Sequence, residues 1–277
     1  MSLAASTAVT HIRPGRAASR LNARELWEFR ELLYFMVWRD AKVRYKQTVL
    51  GAAWAILQPV MTTAVFALFF GRLAGVPSDG QPYALFAFVA LVPWTYFATA
   101  LSSGAQSLVG GQHLIAKVYF PRLIIPIASV ITPMLDFAVA FAMLIPVLLW
   151  FGYVPALAAL ALPAFIVLAV ASALAASLWC AVLNVEYRDV RYVLPFALQF
   201  WMFATPIAYP ASLVPERWRV LYGLNPMASV VEGFRWALLG SPAPGPMVFV
   251  SAAVVVVALV GGVAYFRRME GTFADVL

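Results

Sequence analysis

The sequence predicts an all-α integral membrane protein with six transmembrane helices, an N-terminal amphipathic interface helix, and re-entrant external gate helices between spans five and six. Of its 277 residues, 64% are hydrophobic and only 11% are charged. Soluble domains carry about 25% charged residues, because polar side chains must cover their exterior. A bilayer removes that demand, so the composition favours a membrane protein over a soluble domain.

Six apolar stretches are long enough to cross about 30 Å of hydrocarbon, which takes roughly 17–25 residues in a helix. They are Val49–Phe70, Tyr83–Ser103, Leu123–Phe151, Val154–Leu183, Val193–Tyr209 and Pro246–Phe266. Only Gly152 and Tyr153 join the third stretch to the fourth. This short connection indicates a tight helical hairpin whose members tilt or extend beyond the bilayer.

Residues 22–48, before the first span, contain the predicted interface helix. On a 3.6-residue period, five apolar side chains share one face: Leu26, Phe29, Leu33, Met36 and Val37. Charged residues occupy other sides, so the helix is expected to lie along the inner leaflet. The alternative is an ordinary surface helix of a small soluble domain. The other predicted divisions are a cytoplasmic tail over 1–21, the transmembrane domain over 49–266 and a second tail over 267–277.

The external segment 210–245 is too long and too apolar for a plain loop. It contains two helix-like pieces, near Pro215–Leu224 and Pro226–Leu239. Two half-helices that dip back into the outer leaflet fit this pattern, provided that protein or a cavity surrounds their backbone. The alternative is a surface loop that carries two short helices.

The distribution of Lys and Arg predicts the orientation, because cytoplasmic loops are enriched in these residues. The side that holds both termini carries fifteen of them, and the opposite side carries four, which together make the 19 in the chain. Both termini are therefore expected in the cytoplasm. The net charge of +7 is explained by these loops and gives no reason to expect nucleic acid as a partner.

No catalytic or metal-binding constellation is evident. The two histidines match no metal-ligand spacing such as H-E-x-x-H, and a G-x-S-x-G motif is absent. Asp136 is the only acid within a span, and an intramembrane carboxylate marks a functional site by default. It could relay protons or bind a substrate cation; alternatively, it forms a hydrogen bond to a neighbouring helix for packing.

The chain carries no ATP-binding loop of its own. A Walker A loop needs Gly-Lys followed by Ser or Thr, and none of Lys42, Lys46 and Lys117 follows a glycine. If ATP drives this protein, a separate chain must hydrolyse it and must bind the cytoplasmic turns.

Five stretches of the chain, in order, resemble the permease subunits of ABC-2 type exporters, in particular the branch that exports O-antigen, capsule and related polysaccharides. They are RYKQTVLGAAWAILQP (44–59), LVPWTYFATAL (91–101), LIAKVYFPRLIIP (114–126), YRDVRYVLPFALQFWMFATPIAYP (187–210) and LNPMASVVEGFRWALLG (224–240). The six spans and the amphipathic helix are also similar to this family. The first twenty residues carry no such likeness.

The resemblance implies a transport subunit of the bacterial inner (plasma) membrane rather than an enzyme. Such permeases form homodimers in the membrane lipids, and two copies of an ABC ATPase, which use ATP and Mg²⁺, dock beneath them. The complex exports a polysaccharide such as O-antigen, often linked to a polyprenyl lipid. Alternatives are an ABC-2 permease for teichoic acid, a lipid or a drug, an integral-membrane glycan-modifying enzyme, and a secondary transporter.

Three sets of site residues follow from the resemblance, taken together with the charge pattern and with the way aromatic rings pack against the C–H faces of sugars. Charged residues of the interface helix, the loop after span two and the turn after span four are candidates for contact with the ATPase: Glu25, Glu28, Glu31, His113, Lys117, Arg188 and Asp189. Aromatic rings of spans one and five are candidates for lining the pore: Phe66, Phe69, Phe70, Phe196, Phe200 and Phe203. The external gate candidates are Trp218, Tyr222, Asn225, Pro226 and Glu232. Packing against helices or lipid is the alternative for each ring.

The stretch NVEYRDVRYVLP (184–195) is predicted to be a cytoplasmic turn between spans four and five. Its arginines agree with the positive-inside rule, which depends on Lys and Arg. Its acids, Glu186 and Asp189, are not explained by that rule. Salt bridges or helix capping within the turn, or contact with a partner, would explain them; a topology signal alone is the alternative.

Overall fold

The computed structural model describes residues 23–46, 53–117, 120–154, 156–271 and 273. Over these ranges the protein contains α-helices, short 3₁₀ and π segments and turns, with no strand. The α-helices are α1 (Ala23–Glu28), α2 (Arg30–Lys46), α3 (Ala53–Phe66), α4 (Tyr83–Gly110), α5 (Gln112–Lys117), α6 (Ile124–Ile131), α7 (Met134–Trp150), α8 (Leu162–Glu186), α9 (Val190–Ala204), α10 (Glu216–Tyr222), α11 (Pro226–Leu239) and α12 (Met247–Met269). The predicted tail 1–21 and the start of the first predicted span, residues 49–52, lie outside the described ranges.

Five helical segments in these ranges are long and apolar enough to cross a membrane. They are Ala53–Leu73, Tyr83–Gly110, Ile124–Trp150, Leu157–Glu186 and Met247–Met269. The first continues from α3 into a π-helix over Ala67–Leu73. The third is interrupted near Pro133, which separates α6 from α7. Five of the six predicted spans therefore have a helix of sufficient length.

The remaining predicted span, Val193–Tyr209, is shorter than expected. Its helix, α9, has 15 residues and is about 22 Å long at 1.5 Å per residue, against about 30 Å of hydrocarbon. The helix ends because Thr205 precedes Pro206 and has an extended backbone, as the residue before a proline tends to have. The predicted span was too long because it counted apolar residues beyond Pro206, where the helix has already ended.

Helix α4 forms the centre of the fold. Most of its side chains are buried, and α3, α6, α7, α8, α9 and α11 all pack against it. Gly104 allows α8 to approach closely, because a Cβ atom at this position would lie 2.5 Å from the Ser177 Oγ. Small residues at helix contacts are typical of membrane proteins, where close packing replaces the hydrophobic effect.

The N-terminal segment forms two helices, α1 and α2, with a turn at Phe29. The predicted apolar face packs against the ends of α4, α6, α8 and α12; its members are Leu26, Phe29, Leu33, Met36 and Val37. The outer side carries exposed rings as well as charges, including Trp27, Tyr34 and Trp38. The predicted apolar face therefore packs against the protein's own helices, and its expected position along the inner leaflet stays a prediction.

Candidate functional site

The carbonyl groups at the end of α9 are bonded mainly by side chains that come from outside this helix. The last four carbonyls of an α-helix have no partner within it, so a buried end needs other donors. Here every one of the four has a donor. Thr205 donates its hydroxyl to Trp201 O (2.8 Å) and its backbone N–H to Met202 O (3.3 Å). The Tyr209 hydroxyl donates to Phe203 O (3.0 Å), and Ala204 O accepts from the Tyr222 hydroxyl (2.8 Å) and from Asn225 Nδ2 (3.2 Å). Thr205 and Tyr209, which follow the helix, thus bond three of these carbonyls, and the external segment bonds the fourth, Ala204 O.

Asn225 links α9 directly to α11. Its Oδ1 accepts hydrogen bonds from Met227 N (3.1 Å) and from the Trp201 indole (2.9 Å). Its Nδ2 donates to the Thr205 hydroxyl (3.0 Å) as well as to α9. Asparagine is a favoured N-cap, and Pro226 follows at the first helical position, where proline is favoured. One amide side chain therefore begins α11 and caps α9.

Arg235 on α11 is almost fully buried, with 1% of its surface exposed. Its guanidinium donates to Pro206 O (2.5 Å), Ile207 O (2.9 Å) and Phe86 O (3.4 Å) and pairs with Glu232 at 2.9 Å. It also lies 3.4 Å from the centre of the Phe86 ring. A buried charge is tolerated when it is paired and hydrogen-bonded, and the five donors of arginine meet that condition here. Arg235 therefore ties α11 to α4 and to the backbone that follows α9.

The structure brings together most of the external gate candidates. Tyr222 and Asn225 bind the end of α9, Pro226 begins α11, and Glu232 pairs with Arg235. Trp218 stands apart; it is 51% exposed and lies beneath the Arg217 guanidinium at 5.7 Å. The two predicted helix-like pieces correspond to α10 and α11.

Sequence reasoning missed several residues of this cluster: Trp201, Thr205, Tyr209 and Arg235. A signal for Arg235 was available. It lies three residues after Glu232 in an otherwise apolar helix, and ionisable residues at membrane depth usually have a named partner. No comparable pattern marks the tyrosine and threonine hydroxyls, because their partners are backbone atoms brought close only by folding.

The aromatic candidates divide into two groups. Phe196, Phe200 and Phe203 lie on one exposed side of α9, and the first two rings are 4.6 Å apart. Phe69 is also exposed, at 53%. Phe66 is buried, and Phe70 packs against the same core with the two rings 5.2 Å apart. In this chain, four of the six rings therefore present an open apolar surface.

The ATPase-contact candidates lie at the opposite end of the helices. The side chains of Glu28, Glu31, His113, Lys117, Arg188 and Asp189 are all exposed; Glu25 belongs to α1, and its side chain lies outside the described structure. His113 of α5 borders a cavity of 370 Å³ with Arg39 and Asp40 of α2. Its neighbour Gln112 borders a cavity of 490 Å³ with Arg188. Helix α5 therefore adjoins both the interface helix and the turn after α8.

The turn after α8 is not held by internal salt bridges. Glu186 accepts a hydrogen bond from the Tyr265 hydroxyl of α12 (2.9 Å), and Asp189 at the N-cap of α9 makes no capping hydrogen bond. Within the described residues, no ion pair joins these acids to Arg188 or Arg191. The prediction of salt bridges or helix capping in the turn is therefore wrong, because Glu186 is directed towards α12 and the arginines towards a cavity.

Asp136 binds two residues of the interface helix. Its carboxylate forms an ion pair with Arg44 and accepts a hydrogen bond from the Tyr45 hydroxyl. Partial burial, and then this hydrogen bond, raise the pKa of Tyr45 to about 12, so the hydroxyl remains protonated and donates at neutral pH. Asp136 therefore has bonding partners, as the packing alternative requires, and these partners belong to α2 rather than to another span. The pair anchors the end of α2 to the start of α7.

Together these features define a multi-pass α-helical membrane protein whose polar contacts are concentrated at its two ends. Within the described ranges, no group of three His, Cys, Asp or Glu side chains could hold a metal ion.

A family model described as ABC-2 type transporter matches residues 31–239, which is well over half of the chain. The chain belongs to this family. Membership makes it a transport subunit rather than an enzyme.

Similar proteins are known over nearly the whole length. The O-antigen export system permease protein RfbA of Myxococcus xanthus is 29% identical over 255 residues, covering 91% of this chain and 97% of that protein. Two proteins of the same name from Klebsiella pneumoniae are 26% and 24% identical over 248 residues, covering 89% of this chain and 95% of each relative.

Replacing Arg235 tests the buried cluster. We expect Arg235→Met to lower the free energy of unfolding by about 3–5 kcal/mol, because it leaves Glu232 buried without its partner. Thermal unfolding in detergent measures the change. The pair Glu216–Arg219 has the same spacing but is exposed, with 3.9 Å between the charges, so Arg219→Met should change stability little. Equal losses from the two substitutions would show that Arg235 is not a central contact.

Proposed function

We propose that this chain is the membrane permease subunit of an ATP-driven exporter that moves a lipid-linked polysaccharide, such as O-antigen, across the bacterial inner membrane. The observation that carries the proposal is the likeness to O-antigen export permeases over 89–91% of this chain and 95–97% of theirs. Because so large a share of both chains is aligned, the likeness is not confined to one segment of the protein.

A separate ABC ATPase supplies the energy in this proposal. The chain has no Gly-Lys-[Ser/Thr] sequence, and two ATPase copies would bind ATP and Mg²⁺ beneath a permease dimer. The contact surface we propose consists of α5 and the exposed charges around it, which include Glu28, Glu31, His113, Lys117 and Asp189. The anchor between Asp136 and Arg44 supports this role, because it would carry a push on α2 into α7.

A second copy of the chain completes the path. In one copy, the exposed side of α9 presents Phe196, Phe200 and Phe203, and α3 presents Phe69. Two such surfaces facing each other would enclose a channel with aromatic walls. Aromatic rings pack against the apolar C–H faces of sugars and leave the hydroxyl groups hydrated, so a polymer can slide without binding tightly.

The short α9 fits a six-span topology if the segment after it completes the crossing. Five crossings would place the termini on opposite sides, whereas fifteen Lys and Arg against four favour both termini in the cytoplasm. We assign the sixth crossing to α9 with Thr205–Tyr209, and we place α10 and α11 at the outer leaflet as external gate helices. The bonds from Asn225, Tyr222 and Arg235 support this assignment, because backbone at membrane depth must find partners within the protein.

The same bonds suggest how the external end would move. Since Tyr222 and Asn225 of the external segment both donate to Ala204 O, separating the segment from α9 would leave this carbonyl unpaired at a cost. We propose that α9, α10 and α11 move as one unit when the path opens outward.

Reconstituted export tests the function. The chain is purified with the ABC ATPase of its source and placed in inverted proteoliposomes with a lipid-linked O-polysaccharide on the outside. We expect the glycan to enter the lumen only with hydrolysable ATP, because this chain holds no energy source. Vesicles supplied with a non-hydrolysable ATP analogue are the control. Equal uptake by the chain alone without ATP, or no uptake under any condition, would exclude the proposal.

Truncation of the aromatic surface tests the path. We expect Phe196→Ala together with Phe200→Ala to lower the export rate several-fold while thermal stability changes little, because both rings are exposed in one copy. Phe249→Ala on α12, where the ring is 77% exposed, is the matched control and should export at the normal rate. If the two variants slow export equally, the α9 rings contact lipid rather than cargo.

A further inference from the structure

A cavity of 490 Å³ opens at the end of α4, beside the turn between α8 and α9. Its size falls within the range of roughly 300–1,000 Å³ that is typical of small-ligand sites. Its lining is Gln106, Val109, Gly110, Gln112, Asn184, Val185, Arg188 and Arg191. The lining therefore contains two cations and three amide side chains, and it contains no carboxylate.

The two arginines are not neutralised by the protein. Arg191 donates to the Tyr192 hydroxyl (2.9 Å), with its guanidinium 4.7 Å from the centre of that ring. Arg188 has no hydrogen bond or ion pair with any described residue. The nearest acid in sequence on the α8 side, Glu186, is bonded to Tyr265 of α12, and Asp189 does not line the cavity. Two guanidinium groups that line one cavity without a carboxylate partner repel each other unless an anion lies between them.

The chemistry of these side chains favours a phosphate group. A guanidinium offers a planar fork of N–H donors that matches two phosphate oxygens, and such charge-assisted bonds are stronger than neutral ones. The side chain of Gln112 adds a neutral donor to the lining, whereas the amide of Gln106 already donates to Ser102. A cytoplasmic ATPase carboxylate could pair with the arginines too, but it would not need a cavity of this volume.

The position of the cavity relates it to the path proposed above. On the helical period of α9, Tyr192, Phe196 and Phe203 fall on one side, and all three are exposed. Arg188 lies in the turn just before this helix, and Arg191 donates to the Tyr192 hydroxyl. An anion held between the arginines would therefore lie at the cytoplasmic start of the aromatic surface. A chain attached to that anion could continue along the rings without a change of direction.

We propose that this cavity binds the phosphate or diphosphate ester through which the cargo is joined to its lipid, with Arg188 and Arg191 as the binding residues. The inference rests on the proposed function, since it takes the cargo to be a lipid-linked glycan. Arg188 is then a substrate-binding residue rather than an ATPase contact. The neighbouring charges on α5 remain the contact surface.

Equilibrium binding to the full chain with its ATPase, in nanodiscs of zwitterionic lipid, tests the site. The probes are radiolabelled farnesyl diphosphate, as a short lipid diphosphate, and inorganic pyrophosphate as a competitor. We expect Arg188→Gln with Arg191→Gln to weaken farnesyl diphosphate binding roughly tenfold or more, because two charge-assisted bonds are lost. Replacing both by Lys should restore part of the affinity, since the charge returns without the fork. Arg217→Gln, an exposed arginine at the external end, is the matched control.

Each outcome decides the proposal. Weaker binding of farnesyl diphosphate only in the Arg188 and Arg191 variants, with competition by pyrophosphate, supports it. Equal affinity for farnesyl diphosphate and pyrophosphate would assign the site to free phosphates and overturn the lipid-linked source. Unchanged affinity in the double Gln variant overturns the site, and loss of the ATPase from that variant alone would reassign the arginines to the partner.

The export assay distinguishes a failure of the proposed phosphate site from a failure of the proposed export function. Normal export by wild-type vesicles together with unchanged binding by the double Gln variant would refute the site and leave the function standing. Arginine-dependent binding without any glycan export would refute the function instead.

Discussion

The end of α9 is the constraint on which the external half of the protein depends. The end of an α-helix leaves four carbonyls without a partner in the helix, and here Thr205, Tyr209, Tyr222 and Asn225 bond them. These bonds fix where the external segment lies, because Asn225 also begins α11. Arg235 then fastens α11 to α4 and to the backbone of Pro206 and Ile207. One short helix thereby determines the position of two others.

The two ends of the protein use polar groups in different ways. At the end that contains α10 and α11, Arg235 is buried and paired with Glu232, and Asn225 is bonded to α9, so these groups hold helices in place. At the opposite end, which contains α5 and the turn after α8, most charged side chains are exposed, and Arg188 and Arg191 face a cavity without an acid partner. Asp136 differs from these charges, because it binds Arg44 and Tyr45 and so joins the interface helix to α7. The polar cluster around Arg235 and Asn225 therefore serves packing, whereas the end that contains α5 leaves charges available to other molecules.

Much of the fold could be predicted from the sequence, since apolar runs and the 3.6-residue period reflect local requirements. The predicted second span stopped at Ser103, whereas α4 continues to Gly110, because burial against α8 stabilises a polar end that the apolar count excludes. The predicted fifth span was too long, because the break at Pro206 was treated as a kink. The partners of Asp136 and Arg235 lie 92 and 29 residues away in the chain, and no local pattern pairs residues at such separations. Contacts of this kind, unlike helices, require the folded chain.

The central claim is that α9 and the external helices act as one unit, since their shared bonds are the ones that a separation would break. A covalent link can replace one such bond. In a chain whose Cys180 is replaced by Ser, the substitutions Ala204→Cys and Tyr222→Cys introduce two thiols, and a short cleavable cross-linker joins them. The side chain of Tyr222 reaches Ala204 O at 2.8 Å, so the link spans an existing contact. Export by the cross-linked complex at the rate of the unlinked one is the predicted result. Export that stops on cross-linking and returns on cleavage would contradict the claim.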